Sequence, residues 1–174
     1  MGKMIRFLKS AVGLIDCISK WTGHFFSFLV VACAILMSVE VVARYVLNSP
    51  TKYATEATGI LFGIYLLIIG AYVLYLHSHV SVDVVYSRLS QRGKAIIDIF
   101  TSIFFFAFIF VLLREGIPAA IKAVVLHEHT QSIWGAPLWP TKIALALGAL
   151  LIFLQGLAKL IRDLYMAFTL RALQ

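Results

Sequence analysis

Charge is scarce in this chain: only 13% of its residues are Asp, Glu, Lys or Arg, against 61% hydrophobic, and the mean hydropathy is +0.95. A water-soluble globule of 174 residues cannot cover its surface with so few charges. Cysteine is nearly missing as well. Cys17 and Cys33 are the only two, and 16 positions along one helix would put them ~24 Å apart, too far for a disulfide. No CxxC, haem-attachment or zinc-ribbon spacing occurs. There is no Walker A loop, GxSxG, HExxH or dinucleotide fingerprint either, so no enzyme is expected. Period-two alternation is also wanting, and the apolar runs are too long for the strands of a membrane barrel.

What is present is four uncharged apolar runs, Trp21 to Val39, Ala57 to Leu76, Ile99 to Leu113 and Ile143 to Ala158. They predict an all-α integral membrane protein with four transmembrane helices. Three of the runs fall short of about 20 residues, so the helices are expected to extend through the flanking charges. The organisation expected is an amphipathic segment over residues 1–20, a four-helix domain over 21–165 and a tail over 166–174. Four spans leave no room for a folded catalytic domain outside the membrane.

The first 20 residues do not read as a cleaved signal peptide, because charges recur through Lys20. On a helical wheel Ile5, Leu8, Ala11, Val12, Ile15 and Ile18 share one side, and Lys3, Arg6, Lys9, Asp16 and Lys20 the other. An interfacial amphipathic helix is the expectation; its alternative is direct continuation into the first span. Lys and Arg set the orientation. Lys3, Arg6, Lys9, Lys20, Arg88, Arg92, Lys94, Lys159, Arg162 and Arg171 fall on one side, and Arg44, Lys52, Arg114, Lys122 and Lys142 on the other. Ten against five predicts cytoplasmic termini. This distribution accounts for the net charge of +7 without a nucleic-acid partner, while membrane lipids remain a natural one. From Ala95 to Leu126 a helical pattern continues past Arg114-Glu115, so the third helix should be ~48 Å long and must tilt, kink near Pro118 or project.

Ionisable residues near spans are the default functional candidates. Glu40 and Arg44, spaced i, i+4 with the acid first, share a helix side. Glu56 opens the second helix after Asn48-Ser49-Pro50, so Arg44 is expected to lie between two carboxylates as a structural clamp. The rival reading is a proton relay. His77 with His79, and His127 with His129, fall on opposite sides of the membrane and cannot share a metal; no metal site is expected. Gly59, Gly63 and Gly70 fall within 40° around the second helix at ~100° per residue. Ala144, Gly148 and Gln155 align likewise on the fourth. Such seams permit close helix packing, with Gln155 able to hydrogen-bond across the contact; the partner is another helix of this chain or a second protein. Between Leu126 and Thr141 the loop carries Trp134, Pro137, Trp139 and Pro140. It reads as an aromatic belt at the outer lipid interface or as a docking surface formed by His129, Gln131, Trp134 and Trp139.

In order along the chain, several short motifs resemble the small membrane subunit of a tripartite ATP-independent periplasmic (TRAP) transporter, the DctQ-like small permease. They are Glu40-Val-Val-Ala-Arg44-Tyr45, Asn48-Ser-Pro50, Glu56, Gly70-Ala71, His79-Val-Ser-Val-Asp83 and Pro137-Leu-Trp139-Pro140. Tyr53 stands where the family often has Trp. The resemblance implies a large multi-span membrane subunit that carries sodium and substrate, so this chain needs no cofactor. It also implies a periplasmic substrate-binding protein that delivers an organic acid such as a C4-dicarboxylate or a sialic acid. A bacterial inner-membrane location and a role as scaffold and docking aid follow from it. The leading alternative is a self-sufficient oligomeric proton-coupled exporter using Glu40.

Overall fold

The computed structural model describes residues 2–51, 53–76 and 91–169. Four helices follow one another: α1 (Gly2–Tyr45), α2 (Ala54–Tyr75), α3 (Gln91–Val125) and α4 (Trp139–Thr169). All four are long and apolar enough to cross a membrane, and the described residues contain no strand, only a single bridge between His129 and Pro137. The chain is a multi-pass membrane protein of the all-α class. His77, His79 and Asp83 lie outside the described residues.

α1 corrects one expectation. Residues 2–20 do not form a separate helix but run directly into the first span as part of one 44-residue helix, ~66 Å long. The physical reason is twofold. No proline precedes Pro50, so nothing breaks the ladder of backbone hydrogen bonds. The apolar side is also occupied: Val12 and Ser19 are buried on it, and Asp16, at the near edge of the charged side, pairs with α4. One residue that looks hydrated on the wheel, Asp16, is therefore a helix contact, while Arg6, Lys9 and Lys20 stay exposed.

The ends of the helices are set by local chemistry. α1 stops where Asn48 adopts the left-handed conformation (φ 49°), which Asn tolerates better than most residues, and Pro50 follows. Thr51 then accepts the Ala54 N–H on its hydroxyl (3.3 Å) at the first turn of α2. α3 ends in a Schellman motif with His127 at φ 47°: the His127 N–H reaches Val124 O (3.3 Å) and the Glu128 N–H reaches Ala123 O (3.0 Å). α4 begins at Trp139-Pro140, a proline in the first turn where its missing N–H costs nothing.

The helices alternate in direction, so α2 and α4 run parallel. α4 packs against all three others, whereas α3 joins the bundle chiefly through α4. In the apolar window of α4 a third of the residues are buried, against 6% in α3. α4 is the keel of the fold, and α3 is a flank. Small residues let the keel be approached closely: Ala144, Gly148, Ala149 and Ala158 are buried along it.

Candidate functional site

At the hairpin end of the bundle Glu40 is 3% exposed. Both of its oxygens are engaged. Oε1 accepts from Arg44 Nη2 (2.6 Å) and Nε (3.1 Å). Oε2 accepts from the Thr51 N–H (3.1 Å) and from the Thr51 hydroxyl. A carboxylate has about four lone-pair sites, and here all are taken. Because Thr51 also caps α2, one carboxylate closes the turn between the two helices. The i, i+4 pairing of Glu40 with Arg44 is as expected.

Glu56 departs from expectation. Its carboxylate does not complete a cluster with Arg44 but receives the hydroxyls of Thr130 and of Ser132, the latter at 2.5 Å. The reason is directional: in the first turn of α2, the side chain faces the 126–138 loop rather than α1. That loop is a tight hairpin. The Thr130 N–H donates to Ala136 O (2.8 Å), the Leu138 N–H donates to Glu128 O (2.9 Å), and Gly135 turns the tip at φ 63°. Glu128 is in turn paired with Lys142 at the start of α4. Two carboxylates thus fasten the loop, one from α2 and one of its own.

The four residues read as a docking surface, His129, Gln131, Trp134 and Trp139, are all exposed. Trp134 is 45% exposed and lies 6.3 Å from the Tyr53 ring, centroid to centroid. Beside it Ile133, which sequence reasoning passed over, is 91% exposed. His127 serves the helix terminus and His129 forms the bridge with Pro137.

A second polar network, not foreseen from the sequence as a unit, lies at the other end. Ser19 donates to Gln155 Oε1 (2.8 Å) and Gln155 Nε2 donates to Asp16 Oδ1 (3.0 Å), while Arg162 pairs with the second oxygen of Asp16. Ser19 and Gln155 are each 1% exposed. Lys159 reaches Asp98 of α3 (2.9 Å) and Asp163 of its own helix (3.7 Å). Gln155 was expected to bond across a seam, and it does so toward α1. No short motif signals the contacts between helices, because those partners stand 61 to 146 positions apart.

Between these networks the seams meet within the chain. Gly148 lies so close to α2 that a Cβ there would collide with the carbonyl of Leu67. Gly70 faces Ile152, whose Cδ1 would be 2.7 Å from an added Cβ, and Gly63 faces Thr141 at 3.9 Å. Gly59 meets nothing within 4 Å and is not part of this contact. Ala144 is buried on the same side of α4. Gly23 against the Tyr72 ring and Gly156 against Phe105 make two further close approaches, α1 to α2 and α4 to α3. The two cysteines are free; Cys33 is buried, with its thiol 3.9 Å from Thr58 O.

No curated protein matches this chain. A family model does, over residues 33–165, and its description is tripartite ATP-independent periplasmic transporters, DctQ component. The match covers the Glu40 clasp, the loop and most of α4, so the arrangement described above is that of a small TRAP subunit. The chain belongs to the DctQ component family of the TRAP transporters.

Proposed function

We propose that this chain is a static scaffold for the large membrane subunit of a sodium-driven TRAP transporter that takes up organic acids. It helps to receive the periplasmic binding protein on the 126–138 loop. In this reading the chain sits in the bacterial inner membrane with both termini in the cytoplasm, performs no catalysis and holds no cofactor; sodium belongs to the large subunit.

The observation that carries the reading is the saturation of Glu40. A carboxylate that works as a proton carrier needs a lone pair that can take up a proton and give it away on one side. Four donors from Arg44 and Thr51 leave none. The same geometry suits a residue whose task is to fix the α1–α2 turn. It favours a scaffold over a self-sufficient proton-coupled exporter.

The test is reconstitution. Liposomes that hold this chain alone should show no sodium-driven or proton-driven organic-acid flux, and flux should appear when the large subunit and the binding protein are added. Uptake by the chain alone would overturn the scaffold reading. For the loop, photocrosslinkers at His129, Gln131 and Trp134 should capture the binding protein, and those at Lys9 or Arg92 should not. Capture only from Lys9 or Arg92 would reverse the orientation, and no capture would leave the tryptophans as lipid-interface anchors.

A further inference from the structure

α3 carries an ion pair where the bundle gives it no cover. Arg114 and Glu115 are 74% and 75% exposed, with Nε 3.7 Å from Oε1. Their depth follows from packing. Gly116 faces Leu145 of the antiparallel α4, at 3.7 Å from an added Cβ to Leu145 Cγ. Arg114, two residues before it, therefore lies level with Leu147, inside the apolar stretch Ile143–Ala158 and ~7 Å inside the level of Lys142.

The surrounding face is apolar and unusually open. Phe100, Phe104, Phe108 and Val111 are between 57% and 68% exposed. At ~100° per residue, Glu115 falls within this stripe, between Phe104 and Phe108, and Arg114 lies just beyond its Phe100 edge. Pro118 adds a third polar feature, because it has no N–H to give the carbonyl of Arg114 one turn earlier.

Lipid is a poor neighbour for such a notch. An arginine can snorkel toward headgroups along its long stem, but a glutamate at the same depth is too short to follow, and a charge left in hydrocarbon costs a few kcal/mol. Resting on the scaffold reading above, we infer that this face of α3 is the seat of the large membrane subunit. One of that subunit's spanning helices lies along the phenylalanine stripe and supplies an acceptor to Arg114 and a donor to Glu115. The least-buried helix of the chain is in this view the one that is buried in the complex.

The test is crosslinking in the assembled complex. Photoreactive residues at Phe104, Val111 and Glu115 should capture the large subunit, and one at the equally exposed Phe28 of α1 should not. The double variant Arg114→Leu, Glu115→Leu should leave the melting temperature of the isolated chain unchanged while lowering recovery of the large subunit about tenfold or more. Capture from Phe28 alone, or a complex that co-purifies undiminished with the double variant and is not captured from α3, would overturn the assignment but leave the scaffold reading standing. Capture of a second copy of this chain from α3 would overturn it in favour of self-association. Failure of any large subunit to co-purify with the unaltered chain would remove both readings together.

Discussion

The two ends of the bundle are held by the same kinds of side chain arranged in opposite ways. At the hairpin end each clasp closes a short piece of chain: Glu40 reaches Thr51 eleven residues on, and Glu128 pairs with Lys142 fourteen residues on; only Glu56 spans far, to the loop. At the end that holds the chain termini, Asp16, Ser19 and Gln155 with Arg162 join the first helix to the last, and Asp98 with Lys159 joins the third to the last. Local clasps shape turns and tolerate independent loss. Long-range clasps hold helices together, so their loss is felt by the whole bundle. In a membrane, where apolar burial between helices is a weak force, this difference is magnified.

The comparison can be broken from its middle. Gly148→Val would drive a branched side chain into the Leu67 carbonyl and wedge α2 from α4, disturbing both ends at once. We expect the largest loss of any single change considered, about 3 kcal/mol or more, read as a fall in the melting temperature in detergent. Gly59→Val, facing open space, should be close to silent in the isolated chain. Next in size is Arg162→Ala, which leaves Asp16 with Gln155 alone at a partly buried site. A loss of about 3 kcal/mol is expected, and hydrogen exchange should quicken in α1 and α4 together. Were only the last turn of α4 to loosen, the long-range reading of this end would be wrong.

Changes at the hairpin end should be smaller and confined. Arg44→Ala removes two of the four donors to Glu40 but leaves both from Thr51, so a modest drop in melting temperature is expected, with faster exchange at residues 46–54. Arg44→Lys should fall between that variant and the unaltered chain, because a lysine keeps the charge and loses the two-pronged contact. The smallest effect belongs to Ser132→Ala, which takes one donor from Glu56. Exchange at the Thr130 and Leu138 amides should rise while the melting temperature holds. A global destabilisation from Ser132→Ala would erase the distinction between the ends.

Much of this fold is written in patterns of short range. Four apolar runs give four helices, the i, i+4 spacing gives the Glu40–Arg44 pair, and unbroken periodicity past Arg114 gives the long α3. The glycine seams were visible, although their partners were not: Gly63, Gly70 and Gly148 find neighbours inside the chain, and Gly59 does not. What escaped depends on contacts between distant residues. Closeness in sequence sets Glu56 beside Arg44, yet the donors to its carboxylate are the hydroxyls of Thr130 and Ser132. Asp16 read as part of a hydrated face because nothing nearby announces Arg162. Periodicity tells which residues share a side of a helix, and it cannot tell whether that side meets water or a matching charge.

The contact of Gly148 with the Leu67 backbone has a consequence for the lipid. Backbone against backbone leaves no flexible side chain to yield, so α2 and α4 cannot slide past one another to shorten or lengthen the bundle. From Lys20, whose ammonium lies 5.0 Å from the Tyr75 ring centroid, to Glu40 is twenty residues along α1, a fixed rise of ~30 Å. The protein behaves as a calliper set to one opening. In a thinner or thicker bilayer it is the acyl chains that must stretch, compress or be exchanged, and a bundle of fixed height imposes its own thickness on the lipid around it.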